Sequence, residues 1–127
     1  MRTRKILIVD DEPDVIEFLS YNFRKNGYAT IGANNGTEGY EKAKQERPDI
    51  IIADIMMPQM NGVNMCKILK NDNDCKNIPF VFLSATQDDY LVMNAGIAGA
   101  EHYLSKPIRF NLLLDMVNEI IYDEMDD

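Results

Sequence analysis

Short apolar runs alternate along the whole chain with longer stretches in which apolar residues recur at helical spacing. "KILIVD", "YATIGA", "DIIIAD", "PFVFLS" and "EHYLS" read as strands. "DVIEFLSYNFRKNG", "TEGYEKAKQE", "VNMCKILKND", "DYLVMNAGIAG" and "RFNLLLDMVNEIIYDE" read as helices, which gives five βα units in sequence. Residues 6–9, 50–53 and 80–83 are apolar at successive positions rather than alternate ones, as parallel strands covered on both faces by helices require. Val15, Phe18, Leu19 and Phe23 recur at i, i+3, i+4 and i+8 and predict the buried face of the first helix.

Right-handed crossovers between these units give a doubly wound α/β sandwich, with a flavodoxin-like (βα)5 arrangement and the strand order 2-1-3-4-5 as the simplest topology. No repeat, low-complexity segment or linker interrupts the pattern, so residues 1–127 are expected to form one domain. The acidic end, "DEMDD", reads as a solvated or frayed terminus. No apolar run approaches the roughly 20 residues a membrane span needs. "MRTRKILIVDD" runs from basic residues straight into a strand without the cleavage site of a signal peptide, so the expected location is cytoplasmic and membrane binding is not expected. Cys66 and Cys75 lack the further Cys or clustered His of a zinc site and read as reduced thiols without a role. A net charge of −8 argues against direct nucleic-acid binding, which requires clustered Lys and Arg; any DNA contact would come through another domain.

In this fold reactive groups collect at the carboxyl ends of the strands, near the point where strand order reverses. Asp10 and Asp11 end the first strand, Asp54 the third and Ser84 the fourth, and Lys106 follows the fifth, so all five are expected to face one crevice. Each has a plainer role on its own: Asp11 before Glu12-Pro13 as a helix N-cap, Asp54 capping the turn "MMPQMNG", Ser84 capping a helix, Lys106 as a surface lysine. Together the three carboxylates would repel one another and raise each other's pKa unless a cation neutralises them. They therefore read as a site for a hard divalent ion. Magnesium suits it best, with oxygen ligands, retained waters and a substrate phosphate. An aspartate in such a site can attack phosphorus and form an acyl phosphate that water later cleaves. That chemistry needs mostly positioning and charge neutralisation.

"ILIVDDEPD", "DIIIADIMMPQMNG", "FLSA" and "YLSKP", in this order and spacing, closely resemble the receiver domain of bacterial two-component response regulators, over nearly the whole chain. The resemblance implies that Asp54 accepts a phosphoryl group from a sensor histidine kinase or a small phosphodonor. It implies that Asp10 and Asp11 hold Mg2+ directly or through water, with Asp54 and the main-chain carbonyl of Met56 as further ligands. Lys106 would contact the phosphoryl group, Ser84 would be the switch hydroxyl and Tyr103 the aromatic that changes rotamer with it. The Lys106–Pro107 bond would be cis. Ser84 stands where the family more often has Thr, and Met56 lacks a polar side chain to orient water, which points to slow autodephosphorylation.

The resemblance further implies a signalling switch that is no enzyme beyond its own phosphorylation and dephosphorylation. Its changing surface would comprise the fourth predicted helix, the fifth strand and the fifth helix, residues 88–122. Apolar residues there such as Leu91, Ile97 and Leu113, some of which belong to the core, would serve a homodimer or an output domain outside this chain, a DNA-binding one by analogy. Three rivals are weaker. A haloacid-dehalogenase-like phosphatase expects a second Asp two residues after the nucleophile, where Asp10 is followed by Glu12 and Asp54 by Met56. A nucleotide-binding domain would place a Gly-rich loop where the acids stand. A degenerate docking module would not keep the acids, Ser84 and Lys106 together. Gly27 and Gly62 read as turn glycines, "GIAGA" at 96–100 as a helix-to-strand connection and His102 as a surface histidine.

Overall fold

The computed structural model describes residues 2–57, 60–85, 99 and 102–125. Five strands, β1 (Lys5–Val9), β2 (Ala29–Ala33), β3 (Ile50–Asp54), β4 (Phe80–Ser84) and β5 (His102–Ser105), form one sheet in the order β2-β1-β3-β4-β5. All four ladders are parallel. This is the doubly wound order predicted from the pattern, and its cause is visible in burial. Every residue of β3 and β4 is buried, and β1 is buried from Ile6 on, because helices cover both faces.

Three helices precede β4 and one follows β5: α1 (Pro13–Lys25), α2 (Gly36–Glu46), α3 (Gly62–Lys70) and a C-terminal helix, Phe110–Met125. The fourth predicted helix, with Leu91 and Ile97, lies outside the described residues. Local chemistry starts each of the first three helices. Pro13 occupies the first turn of α1, while Asn35 and Asn61 cap α2 and α3 by accepting from the Glu38 and Asn64 N–H groups at 2.8 Å each. One core layer joins Leu7, Ile51, Ala53, Phe80 and Phe82 to Met65, Cys66 and Leu69 of α3. The other joins Ile6, Ile8, Ile52, Val81 and Leu83 to Leu19 and Phe23 of α1 and to Leu113 and Val117 of the C-terminal helix.

Several expectations need correction. Leu19 and Phe23 are fully buried, but Phe18 is 46% exposed. It sits at the rim of α1, edge-on to Phe110 with ring centroids 6.4 Å apart, and Ser20 takes the buried place beside Leu19. Asp11 does not cap α1: the N-cap position is Glu12, without a side-chain cap bond, because Pro13 already removes one unmet donor. Gly27 is a turn glycine with φ +91. Gly62 is not; a Cβ there would collide with the main-chain oxygen of Asp54 and lie 2.8 Å from the Phe82 ring, so close approach of α3 to β3 demands glycine. Leu113 is fully buried and belongs to the core rather than to a docking surface. At the acidic end, Asp123 and Glu124 are solvated on the last turn of the C-terminal helix, as expected, and Asp126 and Asp127 lie outside the described residues. No helix among the described residues is long and apolar enough to cross a membrane.

Candidate functional site

The parallel register assembles the site. Val9 pairs with Ala53, so the next residues of β1 and β3, Asp10 and Asp54, leave the ladder side by side. Asp54 pairs with Leu83 and Ser84 with Ser105, which brings Ser84 and then Lys106 to the same end of the sheet. The Lys106 N–H donates to the Ser84 carbonyl at 2.9 Å and fixes that last step. The Lys106–Pro107 bond is cis, as expected.

All the predicted carboxylates meet there. Asp54 is 6% exposed. Its Oδ1 accepts from the Met56 N–H at 3.0 Å, so it does cap the following turn, and its Oδ2 accepts from Lys106 Nζ at 3.0 Å. Asp10 is buried with both oxygens engaged: Oδ1 accepts from the Glu12 N–H at 2.9 Å and Oδ2 from Lys106 Nζ at 3.4 Å. Asp11 is exposed. Lys106 is thus no ordinary surface lysine, and Glu12 Oε1 lies 3.8 Å from the same ammonium. Ser84 is buried at the rim of this open cleft, which is lined also by Asp11, Glu12, Met56 and Ala85. Tyr103 is half-buried against the core layer that contains Phe82.

The electrostatics are those of an acid-rich, partly desolvated site. Burial pushes the Asp10 carboxyl above the ordinary carboxylate value, against the pull of the Glu12 N–H and Lys106. Burial also pulls Lys106 down, but its bond to Asp54 and the attraction of Asp10 outweigh that, leaving its pKa above the ordinary lysine value. Asp10, Asp11, Glu12 and Asp54 each offer an oxygen, all within 4.8 Å of one another. Four hard oxygen donors at that spacing fit a divalent cation such as Mg2+. Glu12 is the member that the sequence reading missed, and its signal was its place directly after the acid pair at the end of β1. His102 is partly buried in β5, away from these acids' cleft, and Cys66 and Cys75 are buried and form no disulfide.

The comparisons agree with this geometry. The chain is 36% identical over 104 residues to the alkaline phosphatase synthesis transcriptional regulatory protein PhoP of Bacillus subtilis, covering 82% of this chain and 42% of that protein. It is 33% identical to the DNA-binding response regulator MtrA of Mycobacterium tuberculosis, covering 84% of this chain and 45% of that one. The chain therefore spans less than half the length of these relatives. Protein PilH of Pseudomonas aeruginosa is 32% identical and is matched over 97% of its length and 92% of this chain. Among solved structures, the chemotaxis response regulator CheY4 of Vibrio cholerae superposes with a TM-score of 0.87 at 28% identity, over 94% of this chain and 99% of that one. The receiver domain of a signal transduction histidine kinase from Syntrophus aciditrophicus gives 0.89 at 32% identity, over 95% and 92%. The family model of the response regulator receiver domain matches residues 6–118. With sheet order, strand-end acids and sequence in agreement, the chain belongs to the response regulator receiver domain family.

Proposed function

We propose that this receiver domain is a switch set by phosphorylation of Asp54. One observation carries the reading: a buried carboxylate at the end of the central strand lies 3.0 Å from a lysine ammonium and within 4.8 Å of three further acids. Such a group has no structural reason to collect acids around itself, since desolvated like charges destabilise a fold.

In the reaction an Asp54 oxygen attacks phosphorus, and the bond from phosphorus to the donor breaks. The donor is the phosphohistidine of a sensor kinase or a small acyl phosphate, and the leaving imidazole or carboxylate takes the bonding pair. Hydrolysis later returns inorganic phosphate and the free carboxylate. The Met56 N–H holds Oδ1 of Asp54 and Lys106 holds Oδ2, so the carboxylate is oriented before a donor arrives. Lys106 then neutralises the incoming phosphoryl oxygens. Exposed Asp11, Asp54 and the Met56 carbonyl would hold the metal directly, and buried Asp10 would reach it through water. When bound, Mg2+ supplies charge neutralisation on the transferring group.

The output follows from the neighbours of the acceptor. The new charge draws the Ser84 hydroxyl inward, and Tyr103 moves further toward the core beside it. A partner that binds one arrangement only shifts the population by its differential affinity. The relatives named as transcriptional or DNA-binding regulators suggest that an output domain outside this chain is one such partner. Incubation with Mg2+ and acetyl phosphate, followed by intact mass, tests the reading. One added phosphoryl group is expected in the wild-type chain and none in Asp54→Asn; an undiminished adduct in that variant overturns the assignment.

A further inference from the structure

Among the described residues lining the cleft over the acceptor, all but Met56 and Ala85 are polar or charged. Ala85 has no reactive atom, so Met56 is the apolar part of this wall that can change its chemistry. Its exposure sets it apart from its neighbours: Met56 is 57% exposed, Met57 is 8% exposed and Met65 is fully buried. Met60, further along the same loop, packs partly buried against the core. The backbone fixes where the exposed thioether starts, because the Met56 N–H donates to Asp54 Oδ1 at 3.0 Å. A thioether open to solvent is reached by peroxides, and one enclosed in a packed core is not.

We propose that Met56 is a redox modification site, and that its oxidation to the sulfoxide by a hydroperoxide shortens the life of the phosphoryl group on Asp54. A sulfur lone pair attacks the outer peroxide oxygen and the O–O bond breaks. The departing oxygen takes the proton that the transferred oxygen carried and leaves as water or an alcohol. Sulfur is oxidised by two electrons and the peroxide is reduced by two. The product puts a polar hydrogen-bond acceptor where the cleft had an apolar wall. Hydrolysis of an acyl phosphate needs a water held in line with phosphorus. A water that donates to the sulfoxide oxygen keeps its own lone pair free for that attack, whereas the thioether is only a weak acceptor. The inference rests on the switch reading for the presence of the phosphoryl group, and on an apolar Met56 leaving its hydrolysis slow.

The test treats the whole chain with dilute hydrogen peroxide, removes the peroxide, and then phosphorylates with acetyl phosphate and Mg2+. Peptide mass mapping should place one added oxygen on Met56 at least roughly tenfold faster than on Met57 or Met65. Once the phosphodonor is removed, intact mass should show the adduct decaying roughly fivefold faster in the oxidised chain, the factor that one net hydrogen bond supplies. Treatment of the oxidised chain with methionine sulfoxide reductase and dithiothreitol should restore the untreated rate. Met56→Leu keeps an apolar side chain of similar volume, so its decay should be the same with and without peroxide. That variant also controls for any peroxide damage elsewhere in the chain. Oxidation of Met57 or Met65 ahead of Met56, unchanged or slower decay in the oxidised chain, or equal acceleration in Met56→Leu would each overturn the inference. Absence of any adduct before oxidation overturns the Asp54 reading and this inference together, whereas an adduct whose lifetime ignores oxidation overturns this inference alone.

Discussion

The two ends of the sheet treat their acids in opposite ways. At the amino end, Asp49 just before β3 accepts from the Lys5 N–H at 2.8 Å and from Arg2 at 3.1 Å, with Arg4 at 3.4 Å. Burial works against the Asp49 carboxylate, but those donors more than offset it and hold its pKa below the ordinary value. At the carboxyl end, Asp10, Glu12 and Asp54 share the ammonium of Lys106, Asp11 has no cation partner among the described residues, and Asp10 is pushed above the ordinary value. One end therefore has more donors than its acid needs and contributes stability. The other has fewer than its acids need, which suits the cation and phosphoryl group proposed for it. An unfavourable cluster retained within an otherwise consistent fold is where function is expected.

That contrast can be broken most severely at the acceptor. Asp54→Asn should abolish the acetyl phosphate adduct, at least about a hundredfold by intact mass, while leaving the fold intact and no less stable, because a carboxylate has left an acidic cluster. A large loss of stability in that variant would mean that Asp54 is structural. Next in size, Asp11→Ala should lower Mg2+ affinity roughly tenfold or more, read by titration calorimetry, with phosphorylation falling alongside. A given Mg2+ concentration should raise the melting temperature of the wild-type chain more than that of the variant, and an Asp49→Ala variant should keep the full increment.

At the other end, Asp49→Ala should cost about 2 kcal/mol in urea unfolding at neutral pH, because charged donors lose a buried acceptor. Its dependence on pH has a definite sign. A depressed pKa in the folded state means a contribution fully present above the ordinary Asp value of about 4 and lost as pH falls below it. The gap between wild type and Asp49→Ala should therefore narrow in acid. Asp10→Asn gives the smallest effect and the opposite sign. A raised pKa means a penalty absent below about pH 4 and fully present once pH exceeds the folded value, so the variant should gain stability at pH 7 and nothing in acid, without Mg2+. Equal pH profiles for the two variants would erase the distinction between the ends.

The fold was legible because the strands are written in runs of successive apolar residues, a pattern only a sheet covered on both faces can use. Asp10, Asp54, Ser84 and Lys106 were legible as strand-end polar residues following such runs, since parallel topology brings all strand ends of one kind together. What the sequence left hidden depended on distant neighbours. Phe18 fits the helical period but lies at the rim, where Phe110 meets it from the other end of the chain. Asp11 has no cap to make at the start of α1, because Pro13 carries no N–H there and the Glu12 N–H donates to Asp10 Oδ1 instead. Leu113 looks like any apolar residue of an amphipathic helix until α1 and the sheet are packed against it. The need for glycine at position 62 arises from the Asp54 carbonyl and Phe82 rather than from its own backbone angles.

The ladder that pairs Val9 with Ala53 and Asp54 with Leu83 also acts as a ruler. Neighbouring strands lie about 4.8 Å apart because the peptide hydrogen bonds between them fix that spacing, whatever side chains they carry. Separations across the site are therefore set by the backbone, and side chains elsewhere can drift without changing them. That is how chains sharing 28% and 32% of their residues with this one superpose at TM-scores of 0.87 and 0.89. For engineering, the active end tolerates wholesale replacement of helix surfaces, but a single inserted residue in β1 or β3 would move a carboxylate by a full strand step and turn it to the other face of the sheet.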